Sequence, residues 1–78
     1  MYPLLKRDRN IEITLKILDG YSDQRIANIH NITKTRARAI FYRTIADSAP
    51  EFNDIKSMKE LRVYKDQLVP LVIEYKGK

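Results

Sequence analysis

The chain has no cysteine and no tryptophan, a single histidine, two glycines and three prolines in 78 residues. Without cysteine there is neither a disulfide framework nor a thiolate zinc site, and His30 alone cannot build a structural metal centre. So little glycine and proline, with 44% hydrophobic and 32% charged residues, excludes a low-complexity or disordered chain. Long apolar runs are missing too. The opening MYPLLKRDRN stops after two leucines, which fits neither a signal peptide nor a membrane span. The expectation is a cytoplasmic, single-domain, all-α protein with no cofactor, no membrane association and no evident small-molecule ligand. A chain this short leaves little net stability from its core.

Acidic residues are absent from one segment. Residues 33–46 hold Lys34, Arg36, Arg38 and Arg43 and no Asp or Glu. The formal net charge of +5 arises entirely in residues 1–46, where nine Lys/Arg face four acids; residues 47–78 hold six of each. The surface around 33–46 is expected either to meet an anionic partner, nucleic acid ahead of a membrane, or to be simply a solvated basic face.

Four or five helices account for the apolar pattern. In IEITLKIL, residues 11–18, the apolar residues alternate as a strand would, yet the same residues form two helical stripes, Ile11/Leu15/Leu18 and Ile13/Ile17. Helix is the better reading because no second strand lies nearby to pair with. Asp8 or Asn10 is expected to cap it and Gly20 to end it. Two stripes imply a helix packed on both sides. Ser22 is a good N-cap for a second helix, with Ile26, Ala27 and Ile29 or His30 inward. Asn31 suits a left-handed turn, Ile32 plugs it, and Thr33 caps a third helix whose inner face is Ala37, Ile40, Phe41 and Thr44 or Ile45. Farther on, Ser48 with Glu51 and Ser57 with Glu60 are both capping-box patterns. After Ser57, a stripe at helical spacing runs through Met58, Leu61, Tyr64 or Lys65, Leu68, Leu71 or Val72 and Tyr75, with a kink or break expected near Pro70, at residues 67–69.

A small residue at Ala27, a left-handed step at Asn31, a plug at Ile32 and a cap at Thr33 are what two closely packed helices need to present the second one to a groove. In GYSDQRIANIHNITKTRARAI these elements resemble the helix-turn-helix of LuxR-type (GerE) regulators. TKTRARAI with its leading Ile32 is equally similar to the recognition helix in the fourth region of bacterial primary sigma factors. The resemblance covers roughly residues 5–46. It implies a three-helix DNA-binding core over residues 8–46, with the helix-turn-helix at 22–45, and a sequence-specific transcriptional regulator, repressor or activator, that inserts the helix 33–45 into the major groove of double-stranded DNA.

Carried over by position, Lys34, Thr35, Arg38 and Ala39 would face base edges. Ser22, Gln24, Arg25, Arg36, Tyr42 and Arg43 would lie along the phosphates, with Lys6, Arg7 and Arg9 adding contacts from an N-terminal arm. Asp23 would repel the phosphate near the second helix. Ala39 departs from the sigma pattern, where a long polar residue is usual, so the sequence read must differ. His30 stands where these families place a large apolar residue and is expected to be partly buried and structurally satisfied.

Residues 47–78 match nothing in either family. Their stripe of Leu61, Tyr64, Leu68, Leu71 and Tyr75 serves either as a homodimer surface or as a cover for the two-sided first helix. The same fold could instead dock on RNA polymerase or a sigma factor as a phage- or plasmid-type adaptor, or tether DNA within a packaging or partition complex. Catalysis is not expected: there is no Gly-rich phosphate loop, no thiol, and no partner for the one histidine at a family spacing.

Overall fold

The computed structural model describes residues 3–77, with side chains from Asp8 onward. It is all-helical over these residues: α1 (Pro3–Leu18), α2 (Asp23–His30), α3 (Lys34–Ser48), a 3-10 turn (Pro50–Phe52), α4 (Met58–Val63) and α5 (Lys65–Lys76). No helix among the described residues is long and apolar enough to cross a membrane.

The helix α1 is the centre of the bundle and packs against α2, α3, α4 and α5. Its two apolar stripes explain this position. Ile11, Ile13, Ile17 and Leu18 are all buried, and Leu15 is half-buried against the same core. The stripes are joined by Thr14, whose buried hydroxyl donates to the Asn10 carbonyl 2.8 Å away, so burying it leaves no unpaired donor. The start of α1 differs from expectation. The helix begins at Pro3, where a proline in the first turn loses no hydrogen bond, and Asp8 and Asn10 fall inside it rather than capping it. There is accordingly no separate arm at residues 6–9; the side chains of Lys6 and Arg7 lie outside the described residues.

Around α1, the caps sit where short-range chemistry puts them. Gly20 ends α1 at φ 115°, and the Tyr21 N–H reaches back to the Lys16 carbonyl. Ser57 accepts from the Glu60 N–H at the start of α4. Ser48 does not cap the 3-10 turn. It is the last residue of α3, and its hydroxyl turns back to the Thr44 carbonyl at 2.6 Å.

The C-terminal segment belongs to the same core. Leu61, Leu68 and Val72 are fully buried, and α5 lies against both α1 and α3. Leu61 and Leu68 therefore have no surface left for a dimer; Tyr64, Leu71 and Tyr75 are half-buried against the core. Covering α1 is what this stripe does.

The helix break also moves. It falls at Tyr64, whose carbonyl accepts from both Gln67 and Leu68, and α5 continues through Pro70. Leu68 and Val72 straddle the proline at i,i+4 and are both buried, so core packing holds the helix together across the one missing N–H. At Tyr64 the ring stacks at a tilt on Phe52, 5.3 Å between centroids, which ties the break to the 3-10 turn.

Candidate nucleic-acid interface

The pair α2–α3 is built from two capped helices around one left-handed residue. Ser22 Oγ accepts from the Arg25 N–H at 3.1 Å, and Thr33 Oγ1 accepts from the Arg36 N–H at 3.0 Å. Between them Asn31 stands at φ 55°, ψ 47°, and both its own N–H and that of Ile32 return to the Ala27 carbonyl. Ala27 is buried, and Ile32 packs against the core as the plug. Every turn element expected from the sequence is in place.

With Ala37, Ile40, Phe41, Thr44 and Ile45 all buried, one side of α3 is committed to the core. The other side presents Lys34, Thr35, Arg36, Arg38, Ala39 and Arg43, all exposed. Lys34/Arg38 and Thr35/Ala39 are two neighbouring i,i+4 rows and so make one compact patch near the helix N-terminus. The four residues expected to face bases are thus brought together. Arg36 and Arg43, seven apart, share another line of the helix and flank that patch.

The remaining expected contacts are more mixed. Gln24 and Arg25 are exposed at the start of α2; Gln24 bonds Asn28 at 3.2 Å, and the Arg25 guanidinium lies 4.3 Å over the Tyr21 ring. Ser22 is exposed, but its hydroxyl is already the α2 cap. Tyr42 is half-buried and already engaged within the fold. Its hydroxyl donates to the Lys56 carbonyl at 3.2 Å and its ring meets Phe41 edge-on, so it braces the loop before α4. Arg9 lies within α1 and reaches Asn10, not a free surface. His30 is half-buried as expected, but its Nε2 is enclosed with no hydrogen-bond partner among the described residues, so it is not fully satisfied.

Folding also brings acids to a face that has none in its own segment. Asp47 lies 3.7 Å from Arg43, whose side chain stays largely exposed. Asp23, the first residue of α2, accepts from Arg38 Nε through Oδ2 and from the Gln24 N–H through Oδ1. It meets a cation of the neighbouring helix instead of standing as a bare negative charge. Lys34 and Arg36 have no ion pair among the described residues and are the freest cations of the exposed side of α3. A spacing rule could not find the Asp23–Arg38 pair, because its members are 15 residues apart and on different helices.

Burial raises the Asp23 pKa, but the bonds from Arg38 and Gln24, together with the charges of Arg38 and Lys34, outweigh it and hold the carboxyl below its ordinary value. A carboxyl depressed in the folded state adds stability at pH values above its unfolded pKa. That contribution is lost as pH falls through the lowered folded value. The melting temperature of the wild type should therefore exceed that of Asp23→Asn at neutral pH, and the gap should close in acid below the usual aspartate range. A gap that is constant down to strong acid would show that the pair contributes nothing through charge.

Among the described residues, no three His, Cys, Asp or Glu side chains come together as a metal site. Compared with known protein families, curated proteins and solved structures, the chain matches none.

Proposed function

We propose that the protein binds double-stranded DNA as a small transcriptional regulator, laying the N-terminal half of α3 in the major groove. The observation that carries this is the patch of Lys34, Thr35, Arg38 and Ala39 on the free side of a helix whose other side is locked in the core. A groove-reading helix needs that division: a rigid anchored face and, opposite it, side chains of differing length and chemistry. Lys and Arg donate to guanine, while the Thr methyl and Ala offer apolar contacts to a thymine methyl. Arg36, Arg25 and Gln24 border the patch where phosphates would run, and supply affinity and register rather than sequence preference.

Binding of a labelled random-sequence duplex, followed by anisotropy between about 50 and about 200 mM salt, tests this reading. The wild type should bind at the low end and weaken as salt rises. Arg36→Ala should weaken binding to all sequences alike and flatten the slope of log K against log salt by about one unit, the loss of one phosphate contact. On a duplex that carries a preferred site, Lys34→Ala should cost roughly 5- to 10-fold, the lower part of the range for a lost base contact. A wild type that does not bind duplex at low salt overturns the proposal and leaves a protein-docking use of the same face.

A further inference from the structure

Among the side chains of the patch, Arg38 alone is held by an acid from the neighbouring helix. We infer that Asp23 is a specificity-determining residue that sets the Arg38 guanidinium for a two-pronged contact with the O6/N7 edge of a guanine. The inference rests on the DNA-binding reading above.

Three features of the pair support it. The carboxylate is itself fixed, because one oxygen accepts from the Gln24 N–H at the start of α2 while the other accepts from Arg38. It also lies on the inner side: the Asp23 side chain is 16% exposed, that of Arg38 54%. The acid is thus the enclosed partner of the pair and the arginine the exposed one. Finally, the bond uses Nε. The two terminal nitrogens, with four N–H groups in one plane, have no other bond among the described residues, and that planar end matches two adjacent acceptors.

The base follows from donor and acceptor chemistry. Guanine presents two acceptors side by side in the major groove. Adenine presents an acceptor beside a donor, so one arm of a fixed guanidinium would meet an N–H. A freely rotating arginine could swing away from that mismatch to a phosphate, whereas a buttressed one cannot. Fixing the side chain before binding also removes part of the ordering cost from the correct complex.

An acid at a DNA surface repels phosphates, so Asp23 should lower affinity for DNA in general while raising discrimination. This combination separates a buttress from a plain interhelical ion pair. Removing a plain pair lowers thermal stability and leaves base preference unchanged.

Selection of bound sites from a random duplex pool, run with wild type, Arg38→Ala, Asp23→Ala and Asp23→Asn, tests the inference. Asp23→Asn keeps the side-chain shape at the helix start and guards against unfolding by the alanine variant. The wild type should enrich guanine at one position that Arg38→Ala renders degenerate. The Asp23 variants should lose about 5-fold or more of that preference, within the range one bidentate base contact supplies, while binding random-sequence duplex as well as or better than the wild type. Asp23 variants that keep the full guanine preference overturn the buttress and leave DNA binding standing. A wild type that binds DNA with no preferred base at any Arg38-dependent position also overturns it. A wild type that binds no DNA overturns the reading on which it rests.

Discussion

Phe41→Ala is expected to leave the domain largely unfolded at room temperature. Phe41 is among the largest side chains with no exposure at all, and it sits on α3 in the same core as Ile11, Ile13 and Ile17 of α1 and Leu68 and Val72 of α5. Truncating a buried Phe to Ala costs about 3–5 kcal/mol, because the lost transfer energy is joined by a cavity that the surroundings only partly fill. A domain of this size rarely has more than about 3–5 kcal/mol of net stability, so the single change is comparable to the whole. Neighbouring backbone cannot close the gap easily, since α3 is held by α1, α5 and the 3-10 turn. Far-UV circular dichroism and urea titration check this. Phe41→Leu, which keeps most of the volume, should stay folded at a cost of about 1–2 kcal/mol. A cooperative transition for Phe41→Ala at nearly the wild-type urea midpoint would show that the core is far looser than its burial indicates. Because Phe41 anchors the helix whose outer face carries Lys34 and Arg38, its loss should remove, together with the fold, the DNA binding proposed for that face.

What the sequence made legible is set by range. Ser22, Asn31, Thr33 and Ser57 act on backbone groups at most five residues away, and all stand where the short patterns place them. The inner face of α3 was equally readable, since burial at i, i+3, i+4 needs nothing beyond helical spacing. Even α1, ambiguous between strand and helix, was settled by the lack of a second strand to pair with, and its two stripes placed it between its neighbours.

The misreadings have a shared cause, which is competition between local signals or between local and distant ones. Pro3 was the better start signal for α1, but Asp8 and Asn10 looked like caps. Ser48 had two acceptable partners and took the carbonyl behind it in place of the N–H groups ahead. Pro70 has a strong local penalty, overridden by Leu68 and Val72, which the core demands on one helical face. At the candidate interface, the acid-free run from residue 33 to 46 promised four unopposed cations. Asp23 and Asp47, lying outside that run, meet two of them. The chemistry of the patch was thus legible, but which of its cations are free was not.

Arg62 is the residue that the sequence pattern left without a role, and its loss should have the second-largest effect on stability. Its Nε donates to the Ile17 carbonyl at 2.8 Å and one terminal nitrogen donates to the Tyr21 carbonyl at 2.6 Å, across 45 and 41 residues of chain. The Ile17 carbonyl lies in the last turn of α1, where peptide dipoles leave partial negative charge and a cation is favoured, and the Tyr21 carbonyl lies in the turn that follows. A hydrogen bond to a charged group contributes about 1.5–3 kcal/mol. The two bonds share one guanidinium and do not simply add, so Arg62→Met, which keeps the apolar stem, should cost about 2–3 kcal/mol. Arg62→Lys restores the charge but not the fork, and should recover less than half of the loss. A thermal midpoint for Arg62→Met within error of the wild type would refute this role. The placement gives the test a second readout. Tyr21 precedes the Ser22 cap and the Asp23 that holds Arg38, so Arg62 fixes the far side of the turn on which the arginine's orientation depends. If α4 supports the candidate interface in this way, Arg62→Lys, still folded, should loosen the base preference proposed for Arg38 while leaving the salt dependence of the proposed DNA binding unchanged.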